Sequence, residues 1–259
     1  MKKITIKKIL KKKNKTPIVC LSAYSKTMAQ IADKYCDMIL VGDSLGMVLY
    51  GMKTTREVKI ETMILHAKTV KKFSKRSVVV FDMPYKTYIN KYDAYKNAKK
   101  VIKLTKCDAV KLEGGAEMSE IIKYLTKRKI PVMGHIGLLP QVAKNFKVRG
   151  KNIAQEEKIL NDAKAISKSG VFAIVIECVV EKLAKKITKN VLVPTIGIGA
   201  SKHCDGQIIV SDDMIGLSDF SPKFVKQYSN LKKIVEKCVK SYSVDVKLRR
   251  FPSDKNVYN

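Results

Sequence analysis

One pattern constrains this chain more than any other. Short apolar, β-branched runs alternate with longer amphipathic, lysine-rich stretches along most of its length. That rhythm marks repeated βα units around a parallel sheet. The strand candidates are Pro17–Ala23, Met38–Gly42, Ser77–Asp82, Ala109–Glu113, Pro131–His135, Phe172–Glu177, Val193–Ile198 and Gln207–Val210. Their near-continuous hydrophobicity suits strands covered on the outside by helices. Helical periodicity falls over Lys26–Lys34, Val58–Lys72, Lys91–Thr105, Glu117–Lys127, Gln155–Lys168 and Glu181–Thr188. Eight such runs predict a closed (β/α)₈ TIM barrel better than an open sheet. Barrels of about 250 residues fold as one domain. The 259 residues, with no internal repeat or low-complexity linker, read as a single domain over 1–259.

The rhythm breaks in one place. Residues 137–153 (GLLPQVAKNFKVRGKNI) form a long connection after the fifth strand. Loops of this length in compact domains are usually functional, so a lid is expected here. The connection before Gln207 is too short for a full helix. From about residue 246 the tail is polar and is expected to be loosely held.

Composition narrows the class. With 46% apolar and 29% charged residues the chain reads as globular. No run approaches the roughly 18 apolar residues of a membrane span. The lysine-rich start, Met1 to Lys15, lacks the apolar stretch of a secretory signal, so a cytoplasmic protein without a membrane partner is expected. The six cysteines are scattered with no C-x-x-C pair, which fits reduced structural thiols better than zinc ligation or a disulfide framework. A formal charge of +29 raises the question of nucleic-acid binding. Only six of the 52 basic residues are Arg, however, and the lysines are spread along the chain. Base and phosphate recognition favours the planar Arg fork, so a solvated lysine-rich surface and no nucleic-acid partner are the expectation.

Active sites of such barrels form at the C-terminal ends of the strands. Those ends read VGDS (Asp43, Ser44), VFDMP (Asp82), VKLEGG (Lys111, Glu113), GHIG (His135) and IVIEC (Glu177). Carboxylates at the ends of buried strands are costly unless paired or metal-bound. One such Asp could be a helix cap, but four acids on one rim are harder to explain that way. Hard oxygen ligands without clustered His or Cys point to Mg²⁺ or a similar cation. Asp43, Asp82 and Glu113 lie on neighbouring strands, placed to share one ion. Lys111 and Glu113 are two apart and face the same side. They either pair inside the barrel, or Lys111 neutralises a substrate carboxylate. His135 suits a proton carrier or a structural histidine equally well. The run TIGIGAS (Thr195–Ser201) lacks both G-x-G-x-x-G and a P-loop lysine, so tight turning is enough to explain it.

Together these motifs carry a resemblance. LVGDSLGM (Leu40–Met47), FDMPY (Phe81–Tyr85), VKLEGG (Val110–Gly115), GHIGLLPQ (Gly134–Gln141), IECV (Ile176–Val179), PTIGIGAS (Pro194–Ser201), CDGQIIV (Cys204–Val210) and PKFVKQY (Pro222–Tyr228) occur in the order of the ketopantoate hydroxymethyltransferase family. The chain resembles that family from about Ile4 to Tyr228. The resemblance implies a phosphoenolpyruvate/pyruvate-like barrel, one Mg²⁺ per subunit, and transfer of a one-carbon unit from 5,10-methylenetetrahydrofolate to 3-methyl-2-oxobutanoate. It implies Asp43, Asp82 and Glu113 as metal-site acids, Asp43, Ser44, Asp82 and Lys111 as substrate contacts, and Glu177 as proton acceptor. It also implies a homo-oligomer, a decamer of two stacked pentamers. The chain departs from the family pattern at Ser25, where an Asp is usual, at Ser201, and in a shorter lid that reads Val148-Arg149-Gly150 without the usual glycine doublet.

Residue chemistry agrees with this reading. A 2-oxo acid can chelate one metal through its carboxylate and keto oxygens. The metal then stabilises the enolate oxygen once the adjacent C–H is lost, and a carboxylate base must stand nearby. Glu177, following Ile174-Val175-Ile176, is the best placed. A rival enzyme class, Mg²⁺-dependent 2-oxo-acid lyases and mutases of the isocitrate lyase type, uses similar rim acids. The isocitrate lyases rely on a lid cysteine, and residues 137–153 contain none. A basic nucleic-acid-binding protein without catalysis is the rival of another class.

Overall fold

The computed structural model describes residues 2–219 and 222–258. A short helix, α1 (Ile6–Leu10), precedes strand β1 (Ile18–Ser22). Then follow α2 (Lys26–Tyr35), β2 (Met38–Val41), α3 (Leu45–Tyr50) and α4 (Ile60–Phe73). The middle of the chain runs β3 (Val78–Asp82), α5 (Lys91–Thr105), β4 (Ala109–Glu113), α6 (Ser119–Lys127) and β5 (Val132–Gly137). After the long loop come α7 (Ile153–Lys168), β6 (Ala173–Glu177), α8 (Glu181–Asn190), β7 (Thr195–Ile198) and β8 (Gly206–Ile209). The eight strands close into a barrel in sequence order. β8 returns to β1 in parallel, with Ile18 to Leu21 against Gly206 to Ile209. The expected barrel is therefore the observed one. β7 passes to β8 through the turn 199–205, because seven residues leave no room for a covering helix.

Local chemistry sets the helix starts. Asn90 caps α5 by accepting from the amides of Tyr92 and Asp93, and Asn152 caps α7 through Gln155. Ser25 caps α2 by accepting from the Met28 amide at 3.3 Å.

Strand parity positions the site. Val78 and Val80 on β3, Ala109 on β4, Met133 on β5 and Ala173 and Val175 on β6 belong to one buried apolar cluster inside the barrel. Ile4 and Ile9 join it from the N-terminal segment. Two residues further along, the same inward face carries Asp82, then Lys111 and Glu113, then His135, then Glu177. Each buried aliphatic side chain in this cluster contributes roughly 1.5–3 kcal/mol, and that burial holds the polar layer above it.

The chain divides into two compact units, one ending at Ser211 and one beginning at Asp212. The first unit contains the whole barrel. The boundary falls at the start of α9 (Ser211–Ile215). The second unit contains α10 (Leu231–Lys247), capped by Asn230 on the Lys233 amide, with every residue at least partly exposed. Beyond α10 the Phe251 ring packs edge-on to Tyr242, 5.5 Å between centroids. Ser253 and Asn256 cap each other's ends of a short turn. The stretch expected to be loosely held thus has local order of its own. Among the described residues, no helix is long and apolar enough to cross a membrane.

Candidate active site

The structure brings together, at the C-terminal end of the barrel, all seven residues singled out in the sequence. Asp43 follows β2 in the turn Gly42-Asp43-Ser44. A Cβ on Gly42 would come within 2.9 Å of the Ser44 hydroxyl, so a larger residue there would press on the Ser44 side chain. The Asp43 amide donates to Asp82 Oδ2 at 3.3 Å. Ser44 Oγ lies 2.7 Å from the Tyr24 hydroxyl, two residues past the end of β1. Lys111 Nζ donates to Asp82 Oδ1 at 2.7 Å and lies 3.7 Å from Glu113 Oε1. Lys111 therefore pairs chiefly with Asp82, and only loosely with Glu113. His135 lies between two acids, with Nδ1 3.4 Å from Glu113 Oε1 and Nε2 3.2 Å from Glu177 Oε2. Neither ring nitrogen has an aligned hydrogen-bond partner among the described residues, and the two carboxyl groups flank the ring on either side.

Burial makes these groups interact strongly. Asp43, Asp82, Lys111, Glu113 and His135 are all buried, and Glu177 is the more accessible acid, its side chain 16% exposed. Desolvation pushes the Asp43 carboxyl well up, and the Asp82 charge adds to it. Asp82 is raised by burial despite Lys111. Burial raises Glu113 too, but Lys111 and His135 outweigh it and hold the carboxyl below its usual range. Burial and Lys111 push the His135 imidazole down, yet Glu113 and Glu177 prevail and lift it to about 9. The layer thus sets four carboxyl side chains beside two basic ones, and burial disfavours the charged form most at Asp43 and Asp82.

That excess of carboxyl groups bears on metal binding. Two buried carboxylates whose charge is poorly compensated are the oxygen donors a small divalent cation takes, with other positions left to water and substrate. Among the described residues, no three His, Cys, Asp or Glu side chains gather into a ready-made cage. Glu113, expected beside the two aspartates, turns its oxygens to Lys111, His135 and the Gln141 amide. The donor set therefore fits an ion held mainly by Asp43 and Asp82.

Three contributors went unassigned in the sequence. Tyr24 reaches Ser44, as described. Gln141, inside the long loop, donates from Nε2 to Asp43 Oδ2 at 2.8 Å. Tyr88 donates to Gln141 Oε1. Tyr24 could have been found by the strand-end rule that found the acids, whereas nothing in periodicity says where a loop such as 138–152 returns. Gly137 starts that loop at φ +94°, where a Cβ would sit 2.4 Å from the Glu177 carbonyl. The far end is tied by the Arg149 amide to the Cys178 carbonyl at 2.7 Å. Cys178, directly after Glu177, sits at φ +48°, a conformation unfavourable for a residue with a side chain.

Comparison with known proteins places this geometry. Solved structures share the fold at low identity: a phosphonopyruvate hydrolase in complex with oxalate and Mg²⁺ (TM-score 0.64, 10% identity, 98% of this chain and 93% of that one) and a 2,3-dimethylmalate lyase of the PEP mutase/isocitrate lyase superfamily (TM-score 0.62, 11% identity, 98% and 89%). Among curated proteins, the 3-methyl-2-oxobutanoate hydroxymethyltransferase of Pelagibacter ubique is 54% identical, over 97% of this chain and 99% of its own. The enzyme of the same name from Bartonella henselae is 49% identical, over 100% and 95%. The family model for ketopantoate hydroxymethyltransferase matches residues 3–254, and the chain belongs to that family.

Proposed function

We propose that this chain transfers a hydroxymethyl group from 5,10-methylenetetrahydrofolate to 3-methyl-2-oxobutanoate, giving 2-dehydropantoate. The observation that carries this reading is the rim itself, in a chain of this family: one accessible carboxylate, Glu177, beside a buried layer of three acids and two cations. Asp43 and Asp82 would hold a divalent cation, with Glu113 as the third acid of the set. Bound there, Mg²⁺ would draw charge from the 2-oxo oxygen and so make the adjacent C–H more acidic. Lys111, already beside Asp82, supplies positive charge for the substrate carboxylate, and Ser44, fixed by Tyr24, offers a hydroxyl to the same ligand.

Glu177 takes the proton from C3 of the oxo acid, and the C–H electron pair moves into the C2–C3 bond. His135, charged at neutral pH and 3.2 Å away, keeps the Glu177 carboxylate turned into the barrel mouth. C3 then forms the new bond to the one-carbon unit, whose two carbon–nitrogen bonds to the folate break. A water supplies the hydroxyl oxygen, and the C3 proton and one water proton end on the two folate nitrogens as tetrahydrofolate leaves. The family resemblance further supports a homo-oligomer, a decamer, in the cytoplasm.

The test is a product assay by NMR with both substrates and Mg²⁺. We expect 2-dehydropantoate only when the folate donor is present. No product with all components, or product without the folate donor, would overturn the reading.

A further inference from the structure

Gln141 lies four residues beyond β5, in the loop 138–152, yet it is 1% exposed. Its carboxamide is fully engaged. Nε2 donates to Asp43 Oδ2 at 2.8 Å and to the Met83 carbonyl at 3.0 Å, and Oε1 accepts from the Tyr88 hydroxyl. The Glu113 amide donates to that hydroxyl at 3.3 Å, which leaves the phenolic proton free for Oε1. A flipped carboxamide would set its oxygen against the carboxylate and the carbonyl, two groups that can only accept. The main chain is tied as well: the Gln141 amide donates to Glu113 Oε2 at 3.1 Å, and its carbonyl accepts from Arg56 Nε at 2.7 Å. One loop residue thus bonds directly to the acids that follow β2 and end β4, and to the chain just past β3.

We infer that Gln141 is a positioning residue that latches the lid onto the site acids and holds the Asp43 carboxylate in the orientation that receives a cation. The loop is fastened at Gln141 and at Arg149, and the stretch between them is exposed, with Phe146 61% accessible. Releasing the first anchor frees that stretch. Because one side chain serves both the lid and Asp43, cation binding and lid seating are linked, and linkage is reciprocal. A cation that fixes Asp43 tightens the lid, and loss of the latch weakens the cation. The cation half of this inference rests on the proposed metal site, whereas the latch itself rests only on the hydrogen bonds.

Lys144 and Lys147 in the exposed stretch give a direct readout by limited trypsin digestion of the full chain. We expect Gln141→Leu, similar in size and keeping the main-chain bonds but without the carboxamide's hydrogen bonds, to raise cleavage there at least tenfold. It should lower Mg²⁺ affinity by calorimetry about tenfold and abolish the protection that Mg²⁺ gives the wild type. A lesion of packing alone would raise cleavage but keep the Mg²⁺ protection ratio. Tyr88→Phe, which removes only the hydroxyl that orients the carboxamide, should move each quantity part of the way. It carries the test if Gln141→Leu does not fold. Wild-type cleavage in both variants would overturn the latch. Raised cleavage with an unchanged protection ratio would overturn the link to Asp43. If the wild type binds no Mg²⁺, the metal site fails and the link to the cation fails with it, but the cleavage comparison still decides the latch.

Discussion

The barrel places carboxylates at both ends and treats them in opposite ways. At the N-terminal end, Asp37, Asp108 and Asp205 each stand just before a strand and accept the amide of a residue in the preceding strand. The donors are Val19, Val79 and Thr195, at 3.0, 2.9 and 2.8 Å. Each acid also has a lysine partner, respectively Lys12, Lys71 and Lys13. Burial raises the Asp205 carboxyl, but Lys13 and the amides of Thr195 and Asn14 outweigh it and hold it low. At the C-terminal end, Asp43 and Asp82 are raised, and His135 has no aligned partner. Satisfied acids fasten strands together, whereas under-compensated acids are poised to take a ligand. The contrast follows the general division of such barrels into a face for stability and a face for chemistry.

The largest expected effect tests the chemical face. Glu177→Gln should slow hydroxymethyl transfer by about 10²–10⁴-fold, the usual contribution of a positioned base, while Mg²⁺ binding by calorimetry stays near wild type. A variant of unchanged rate would remove Glu177 as the base. Next comes a matched pair across the barrel. Asp205→Ala takes the carboxylate from Lys13 and leaves the Thr195 and Asn14 amides without their acceptor, and should cost about 3–5 kcal/mol in urea unfolding, with activity per folded molecule retained. Asp43→Asn relieves a raised charge beside Asp82, so stability should change by less than about 1 kcal/mol while turnover collapses. Equal stability losses at the two ends would erase the distinction.

Two smaller effects sharpen it. Mg²⁺ at about 100 times its dissociation constant should stabilise the wild type by about 2.7 kcal/mol. Asp43→Asn should lose most of that gain, as followed by thermal melting. The pH dependences of the two faces should also differ. The folded pKa of His135 is raised from 6.5 to about 9, so its contribution is complete below 6.5 and is lost as pH rises through 9. Asp205 is depressed, so its contribution is present above the ordinary value of 3.8 and is lost as pH falls below it. Urea midpoints should therefore decline on the alkaline side in a way that His135→Gln flattens, and on the acid side in a way that Asp205→Asn flattens.

The rim was readable in the sequence because strands encode direction. An inward face repeats every second residue, so Asp82, Lys111, Glu113, His135 and Glu177 follow from Val80, Ala109, Met133 and Val175. Gln141 and Tyr88 were not readable, because their roles depend on where loops return, and that is settled by tertiary hydrogen bonds. The helix α10 is not legible in the sequence for another reason: every residue in it is at least partly exposed, so no buried face sets off its period from the surrounding lysines. The basal aspartates could have been found, since each directly precedes a strand.

The account rests on the claim that the C-terminal acids extract a proton from a metal-bound 2-oxo acid. Exchange of the C3 hydrogen of 3-methyl-2-oxobutanoate in D₂O, followed by NMR with no folate present, tests this most directly. The account predicts rapid exchange with Mg²⁺ and exchange near the uncatalysed rate after chelation. Undiminished exchange in the chelated enzyme, or none with Mg²⁺, would contradict it.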